Sequence, residues 1–199
     1  MTEDHFLQRL LLLFLLGGVF VLLDLRKPPA ERRRLREYCF ILAVGVVGAV
    51  FGAVNDYFTC TLSPEYFIIN KGLLEGPNLL PAAIALGAKA GFAGGAIGAA
   101  LLLYLSSARP RPWANCWLYL LPFAAGWLTG IGFGVFRWHV DWPSVYDFVN
   151  DALTPELQRR FYTVWCEHLG VYLGAVAALI GLIFRARKIG KHEIQKPPA

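Results

Sequence analysis

Long stretches without a charged residue constrain this chain more than any other feature of its sequence. Four windows of 16 to 25 residues contain no Asp, Glu, Lys or Arg. A helix that crosses the hydrocarbon core of a bilayer needs about 20 mainly apolar residues. Only 17% of the chain is charged, against about 25% in soluble domains. We therefore predict an all-α integral membrane protein with spans over 38–58, 83–105, 116–136 and 165–185.

A fifth apolar run, over residues 7–25, is compatible with either a first span or a signal peptide. Its uninterrupted apolar part, Leu10 to Leu23, has 14 residues. A signal peptide has positive charge before this part and a small-residue cleavage site after it. Here acidic Glu3 and Asp4 precede it, basic residues follow it, and no Ala-x-Ala is present. This order favours a retained helix and a bundle of five spans, with the signal peptide as the alternative.

The distribution of basic residues predicts the orientation of the chain in the membrane. With the N-terminus outside, the segments on the inner side contain thirteen Lys and Arg residues, and the outer loops 59–82 and 137–164 contain four. Short cytoplasmic loops are enriched in Lys and Arg. The sequence thus predicts a single membrane domain over 1–199 with its C-terminus in the cytoplasm. The net charge of +5 then reflects topology and contact with the lipid bilayer, with no nucleic-acid partner.

Glycines repeat at helical spacing along the last four predicted spans. Helices in lipid pack closely where small residues allow their backbones to approach. We therefore predict glycine-rich packing faces, which other membrane helices or a second copy of the chain would also fit. Before the last span, Thr154 and Pro155 have the types expected at a helix start, and that helix is predicted to continue into the span.

Five ionisable residues are candidates for chemistry, because charged groups in a membrane are costly and often functional. Carboxylates with imidazole suit Zn, Fe or Mn, and they also suit general acid–base catalysis. The metal hypothesis takes Asp56, Glu65, Glu167 and His168 as ligands. The catalytic hypothesis takes Asp56, Glu65 and His168, with Lys89 as a counter-charge in both. The alternative is structural pairing of polar groups, since the spacing matches no established metal or nucleophile motif.

The cysteines divide between the two predicted sides. Cys39 and Cys116 lie at inner helix ends, where thiols stay reduced. Cys60 and Cys166 lie at outer ends, where either a disulfide or two free thiols would be compatible with the compartment.

Two short motifs resemble those of a family of uncharacterised bacterial multi-pass membrane proteins. The first, (H/N)-D-Q-x-T…S-P-E-Y-F, matches Asn55-Asp56 and 63–67. The second, a late H-N-x-S-Y-x-G-G, is matched here as H-x-x-x-Y-x-G, at His168, Tyr172 and Gly174. The chain departs from these motifs at Tyr57, Leu169, Val171 and Ala175. The resemblance implies a bacterial inner membrane location and a role for Asp56, Glu65 and His168, and it implies no particular reaction.

Three hypotheses about function follow. The first is a polar site that faces outward and binds a divalent metal or performs acid–base chemistry. The second is a structural or assembly subunit of a larger membrane complex. The third is a pathway for protons or a small solute that uses Lys89 and Asp56. Whether the protein is an enzyme stays open at this stage.

Overall fold

The computed structural model describes residues 3–29, 32, 34–106, 116–140 and 146–194. Within these ranges the chain is helical and has no β-strand, which confirms the predicted all-α class. The six α-helices described are α1 (Glu3–Leu25), α2 (Arg34–Leu62), α3 (Leu79–Ser106), α4 (Leu121–His139), α5 (Asp147–Ala152) and α6 (Pro155–Ile194). A π-helical turn over Tyr66–Asn70 follows α2, and a 3-10 turn over Cys116–Leu120 precedes α4.

Four of these helices are long and apolar enough to cross a membrane. The qualifying segments are Arg34–Leu62, Leu79–Leu105, Leu118–His139 and Pro155–Lys188, and each contains most or all of one predicted span. The chain is therefore a multi-pass membrane protein. In α1 the apolar stretch that qualifies, Phe14–Leu25, is shorter than a full span. The fifth span stays a prediction.

The chain divides into two units, residues 1–43 and residues 44–199. In the first unit, Asp24 at the end of α1 is the central contact. Its Oδ2 accepts a hydrogen bond from the backbone N–H of Arg34 at 2.6 Å, and its Oδ1 lies 3.2 Å from Lys27 Nζ. The first N–H groups of a helix lack partners within the helix. The carboxylate of Asp24 accepts a hydrogen bond from one of these N–H groups and so links α1 to the start of α2.

In the second unit, α2 and α3 pack antiparallel through glycines. Gly48 and Gly52 of α2 lie against Gly91 and Gly87 of α3, and a Cβ atom at any of these four positions would meet a carbonyl oxygen of the opposite helix. Only glycine permits this approach, which confirms that these two predicted stripes are packing faces.

A second glycine interface joins α4 to α6. A Cβ at Gly126 would lie 2.8 Å from the carbonyl oxygen of Val171, and one at Gly170 would lie 2.8 Å from the Cα of Gly130. Gly174 is similarly close to Thr129. The pairing runs antiparallel, and it brings the start of α6 beside the end of α4.

Helix α6 begins at Pro155 and continues without interruption to Ile194, as the sequence predicted. Its 40 residues span about 60 Å, twice the thickness of a hydrocarbon core. In the first turn of α6, Gln158 Nε2 donates to the carbonyl oxygens of Asn150 and Leu153, which precede the helix, both at 2.8 Å. These bonds hold α5 against the first turns of α6.

The main cluster of buried apolar side chains in the second unit lies at the end where α2 finishes and α6 begins. Phe67, Val149, Phe161 and Val164 have no exposed surface. They come from the turn after α2, from α5 and from α6, so this core is built largely by the connecting segments. Its members are Cys60, Tyr66, Phe67, Leu79, Ala83, Val149, Phe161, Tyr162 and Val164.

Candidate functional site: a buried carboxylate–histidine cluster

His168 on α6 lies between two carboxylates. Its Nε2 is 3.2 Å from Oδ1 of Asp56 on α2, and its Nδ1 is 3.0 Å from Oε2 of Glu167. Nδ1 also lies 3.0 Å from the carbonyl oxygen of Val164, one turn earlier in α6. His168 is 6% exposed and Asp56 is 7% exposed. The structure therefore brings three of the predicted site residues together and buries them; we call Asp56, Glu167 and His168 the carboxylate–histidine cluster.

Glycines of the neighbouring helices make room for the two acids. A Cβ at Gly87 of α3 would lie 2.6 Å from Cγ of Asp56, and a Cβ at Gly130 of α4 would lie 3.1 Å from Oε1 of Glu167. The side chain of Asn55 donates to Glu167 Oε2 at 3.5 Å. All four long helices thus contribute to the surroundings of the cluster.

The two hydrogen bonds of His168 each require a proton. A carbonyl oxygen only accepts, so Nδ1 must carry the hydrogen that points toward Val164. In a neutral imidazole, Nε2 then has no hydrogen. A hydrogen bond between Nε2 and Asp56 needs a second proton, placed either on Nε2 or on the carboxyl group. To satisfy both contacts at once, the cluster needs one proton more than a neutral histidine with two ionised carboxylates carries.

Aromatic rings from the turn after α2 cover the imidazole. The centroids of the Tyr66 and His168 rings are 4.8 Å apart, and the two ring planes are inclined by 34°. The centroid of the Phe67 ring lies 6.1 Å from that of the imidazole, in an edge-to-face arrangement. Burial raises the pKa of the Tyr66 hydroxyl well above its usual value, so the group is protonated at neutral pH. Neither ring was predicted to belong to the site, although both lie in the Ser-Pro-Glu-Tyr-Phe motif. The available signal was the apolar run over 66–69 that follows this motif's Pro and Glu, because such a run between two spans is expected to fold back onto the helix ends.

Glu65 was predicted to join Asp56 near the start of the last span. Its carboxylate accepts a hydrogen bond from Ser63 Oγ at 3.0 Å, and the described contacts show none with Asp56, Glu167 or His168. The chain does fold back onto the helix ends here. The fold-back brings the side chains of Tyr66 and Phe67 to the cluster, whereas Glu65, the residue before the π-helical turn, contacts Ser63.

Lys89 lies on α3, half-buried, two residues after Gly87. The ion pairs described for Asp56 and Glu167 are both with His168. The role of Lys89 as a counter-charge stays a prediction.

Within the described ranges, no group of three or more His, Cys, Asp and Glu residues has an arrangement that would hold a metal ion. The geometry of the cluster explains this result. Its two carboxylates approach opposite nitrogens of one imidazole, so the three side chains do not converge on a common point. The predicted Zn, Fe or Mn site is thus without structural support.

Cys60 and Cys166 are free thiols, as is Cys39. Of the two sequence-based alternatives, the disulfide is therefore not formed. The side chain of Cys116 lies outside the described part of the structure.

Comparison of the chain with protein-family models, with curated proteins and with solved structures finds no match. The resemblance in the two short motifs consequently stays a prediction, and the interpretation of the site depends on its own geometry.

Proposed function

We propose that this multi-pass membrane protein performs acid–base chemistry at the carboxylate–histidine cluster, by reversible binding of a proton. The observation that carries the proposal is the pair of contacts on His168. Both imidazole nitrogens face oxygen acceptors, at 3.0 and 3.2 Å, and a second proton is needed to satisfy them. A proton held in this way can pass between an imidazole and a carboxyl group with little movement of either.

Each member of the cluster has a distinct part in this chemistry. His168 binds and releases the proton, since imidazole is the side chain that titrates closest to neutral pH. Asp56 accepts or returns that proton at Nε2. Glu167 stabilises a positively charged imidazole from the Nδ1 side, and Asn55 holds the Glu167 carboxylate by a hydrogen bond.

A purely structural role explains the cluster less well. Ionisable groups inside membrane-spanning helices are costly. Buried ion pairs seldom add net stability, and apolar residues of similar volume often replace them without loss. The α2–α3 and α4–α6 contacts are already formed by close glycine packing, so the helices do not need three ionisable groups to associate.

The two other hypotheses have less support. Most glycines of the predicted stripes, though not Gly94 and Gly181, pack against another helix of the same chain; these include Gly48, Gly52, Gly87, Gly91, Gly126, Gly130, Gly170 and Gly174. Transporters often bind their substrate at interrupted helices. In the described ranges α2, α3, α4 and α6 are each continuous.

The proposal is tested by following the imidazole of His168 directly. The chain has four histidines, and the His168 signals in 15N-histidine-labelled protein are those absent from a His168→Asn variant. Between about pH 5 and pH 11, we expect these signals to change reversibly as the imidazole gains or loses a proton. We also expect Asp56→Asn to alter their titration curve.

His139 provides the matched control, because it is an exposed histidine at the end of α4. Its NMR signals should be the same in wild type and in Asp56→Asn. The proposal fails if the His168 signals do not change with pH across this range, or if Asp56→Asn leaves the His168 curve unchanged.

A further inference from the structure

We propose that Tyr66 is a positioning residue of this site: its ring lies against the imidazole of His168 and keeps it in the orientation in which Nε2 reaches Asp56 and Nδ1 reaches Glu167 and the carbonyl oxygen of Val164. The inference rests on the proposed acid–base function and adds to it a residue outside the cluster. It also assigns a role to a residue of the Ser-Pro-Glu-Tyr-Phe motif that is neither acidic nor basic.

The two rings are close, and their planes are tilted toward each other. Their centroids are 4.8 Å apart and their planes are inclined by 34°, whereas the neighbouring Phe67 ring meets the imidazole edge-on at 6.1 Å. Stacked aromatic pairs prefer centroid separations of about 4.5–7 Å. To leave its plane, the imidazole would have to turn an edge into the Tyr66 ring.

Tyr66 is itself held firmly, as a positioning residue must be. It is 2% exposed, and its ring packs edge-on against Phe161 at 5.6 Å. Its backbone N–H donates to the carbonyl oxygen of Ser63 at 3.2 Å, which fixes the turn at the end of α2. The ammonium group of Lys71 lies 5.3 Å from the ring centroid. The ring is therefore fixed by the turn, by the core and by a cation.

Orientation matters here because only the two nitrogens of an imidazole form these hydrogen bonds. A half-turn of the ring about its χ2 bond would put carbon atoms opposite Asp56 and the carbonyl oxygen of Val164, and both hydrogen bonds would be lost. The electron-rich face of tyrosine also attracts a positively charged imidazole, so the stack is favourable in the protonated state of the site. A leucine at position 66 would fill space and provide neither effect.

The test measures how fast the imidazole N–H hydrogens of His168 exchange with water, by NMR of 15N-histidine-labelled protein. We expect slow exchange in wild type and in Tyr66→Phe, which keeps the ring. In Tyr66→Leu we expect exchange about tenfold faster, in line with the energy of an aromatic pair. Tyr66→Met provides the same comparison if the leucine variant does not fold.

The control is Phe51→Leu, which removes another aromatic stack, the 5.3 Å contact between Phe51 and Phe123, away from His168. It should leave the exchange rate unchanged. Wild-type exchange in Tyr66→Leu would overturn the proposal, and so would equal acceleration in Phe51→Leu, which would indicate general loosening. Failure of the acid–base function is a separate result, namely that His168 does not titrate in the wild-type protein.

Discussion

His168 joins α2 to α6 through atoms that no apolar residue can replace. It contacts an oxygen on Asp56, one on Glu167 and one on the backbone of its own helix. Without the imidazole, Asp56 and Glu167 would stay buried and would lose the basic group that lies between them. At the residue scale, the site therefore depends on one imidazole that partners two buried carboxylates.

The first prediction concerns the loss of that balance. His168→Ala should lower the free energy of unfolding by about 3–5 kcal/mol, since it breaks a buried charged pair from one side. The double change His168→Ala with Asp56→Asn should recover part of this loss, because one unpaired carboxylate is then neutral. Unfolding in detergent, followed by circular dichroism, measures both. Equal stability of the single and double variants would show that Asp56 does not depend on His168.

The second prediction separates Glu65 from the cluster. Glu65 contacts Ser63, so Glu65→Gln should keep that hydrogen bond and leave the His168 NMR titration unchanged. Its effect on stability should be within about 0.5 kcal/mol, as for most changes at partly exposed positions. A shifted His168 titration in Glu65→Gln would instead restore the original prediction that Glu65 belongs to the site.

At the scale of helices, the same glycines both pack the bundle and shape the site. Gly87 lies against Gly52 of α2 and against the side chain of Asp56. Gly130 lies beside the backbone of Glu167 and its carboxylate. The helices must approach at these positions for the acids to reach His168.

The third prediction uses two glycines of α3. A Cβ at Gly87 would meet the backbone of Gly52 and lie 2.7 Å from Oδ2 of Asp56, so Gly87→Ala should destabilise the protein by about 1–3 kcal/mol and disturb the His168 signals. At Gly94 a Cβ has no atom within 4 Å. Gly94→Ala should therefore be neutral or slightly stabilising, because alanine favours helix more than glycine does. Thermal unfolding of both variants is the measurement, and equal losses would argue against the α2–α3 packing.

At the scale of the whole molecule, orientation in the membrane decides which solution the proposed acid–base site would exchange protons with. The cluster lies near the end of the second unit formed by the segments after α2 and before α6. The loops that contain these segments hold four Lys and Arg residues, whereas the segments on the other side of the predicted spans hold thirteen. This difference favours placement of the loops outside the cytoplasm.

The fourth prediction tests this orientation. A reporter that is active only outside the cytoplasm should be active when fused after Lys71 or within 141–151, and inactive when fused after Lys191. The physical reason is the cost of translocating basic segments near span ends. The reverse pattern would place the site on the cytoplasmic side while leaving its internal chemistry unchanged.

Several features of this protein follow from its sequence alone. Apolar segments long enough for a bilayer must be helical, because a lipid-exposed backbone has to satisfy its own hydrogen bonds. Glycine spacing indicated the packing faces, and the cost of burying charge indicated Asp56, Glu167 and His168 as candidates.

Tertiary structure decided which of these residues meet. The approach of Asp56 to His168 joins positions 112 residues apart and depends on the contact of α2 with α6. The apolar residues after α2 made a fold-back onto the helix ends predictable. Which side chains of this segment would contact His168 was not predictable. A π-helical turn brings Tyr66 and Phe67 to the imidazole and leaves Glu65 on Ser63. Local sequence determines helices and their apolar faces, whereas the direction of a side chain after a turn depends on the packing that closes the turn.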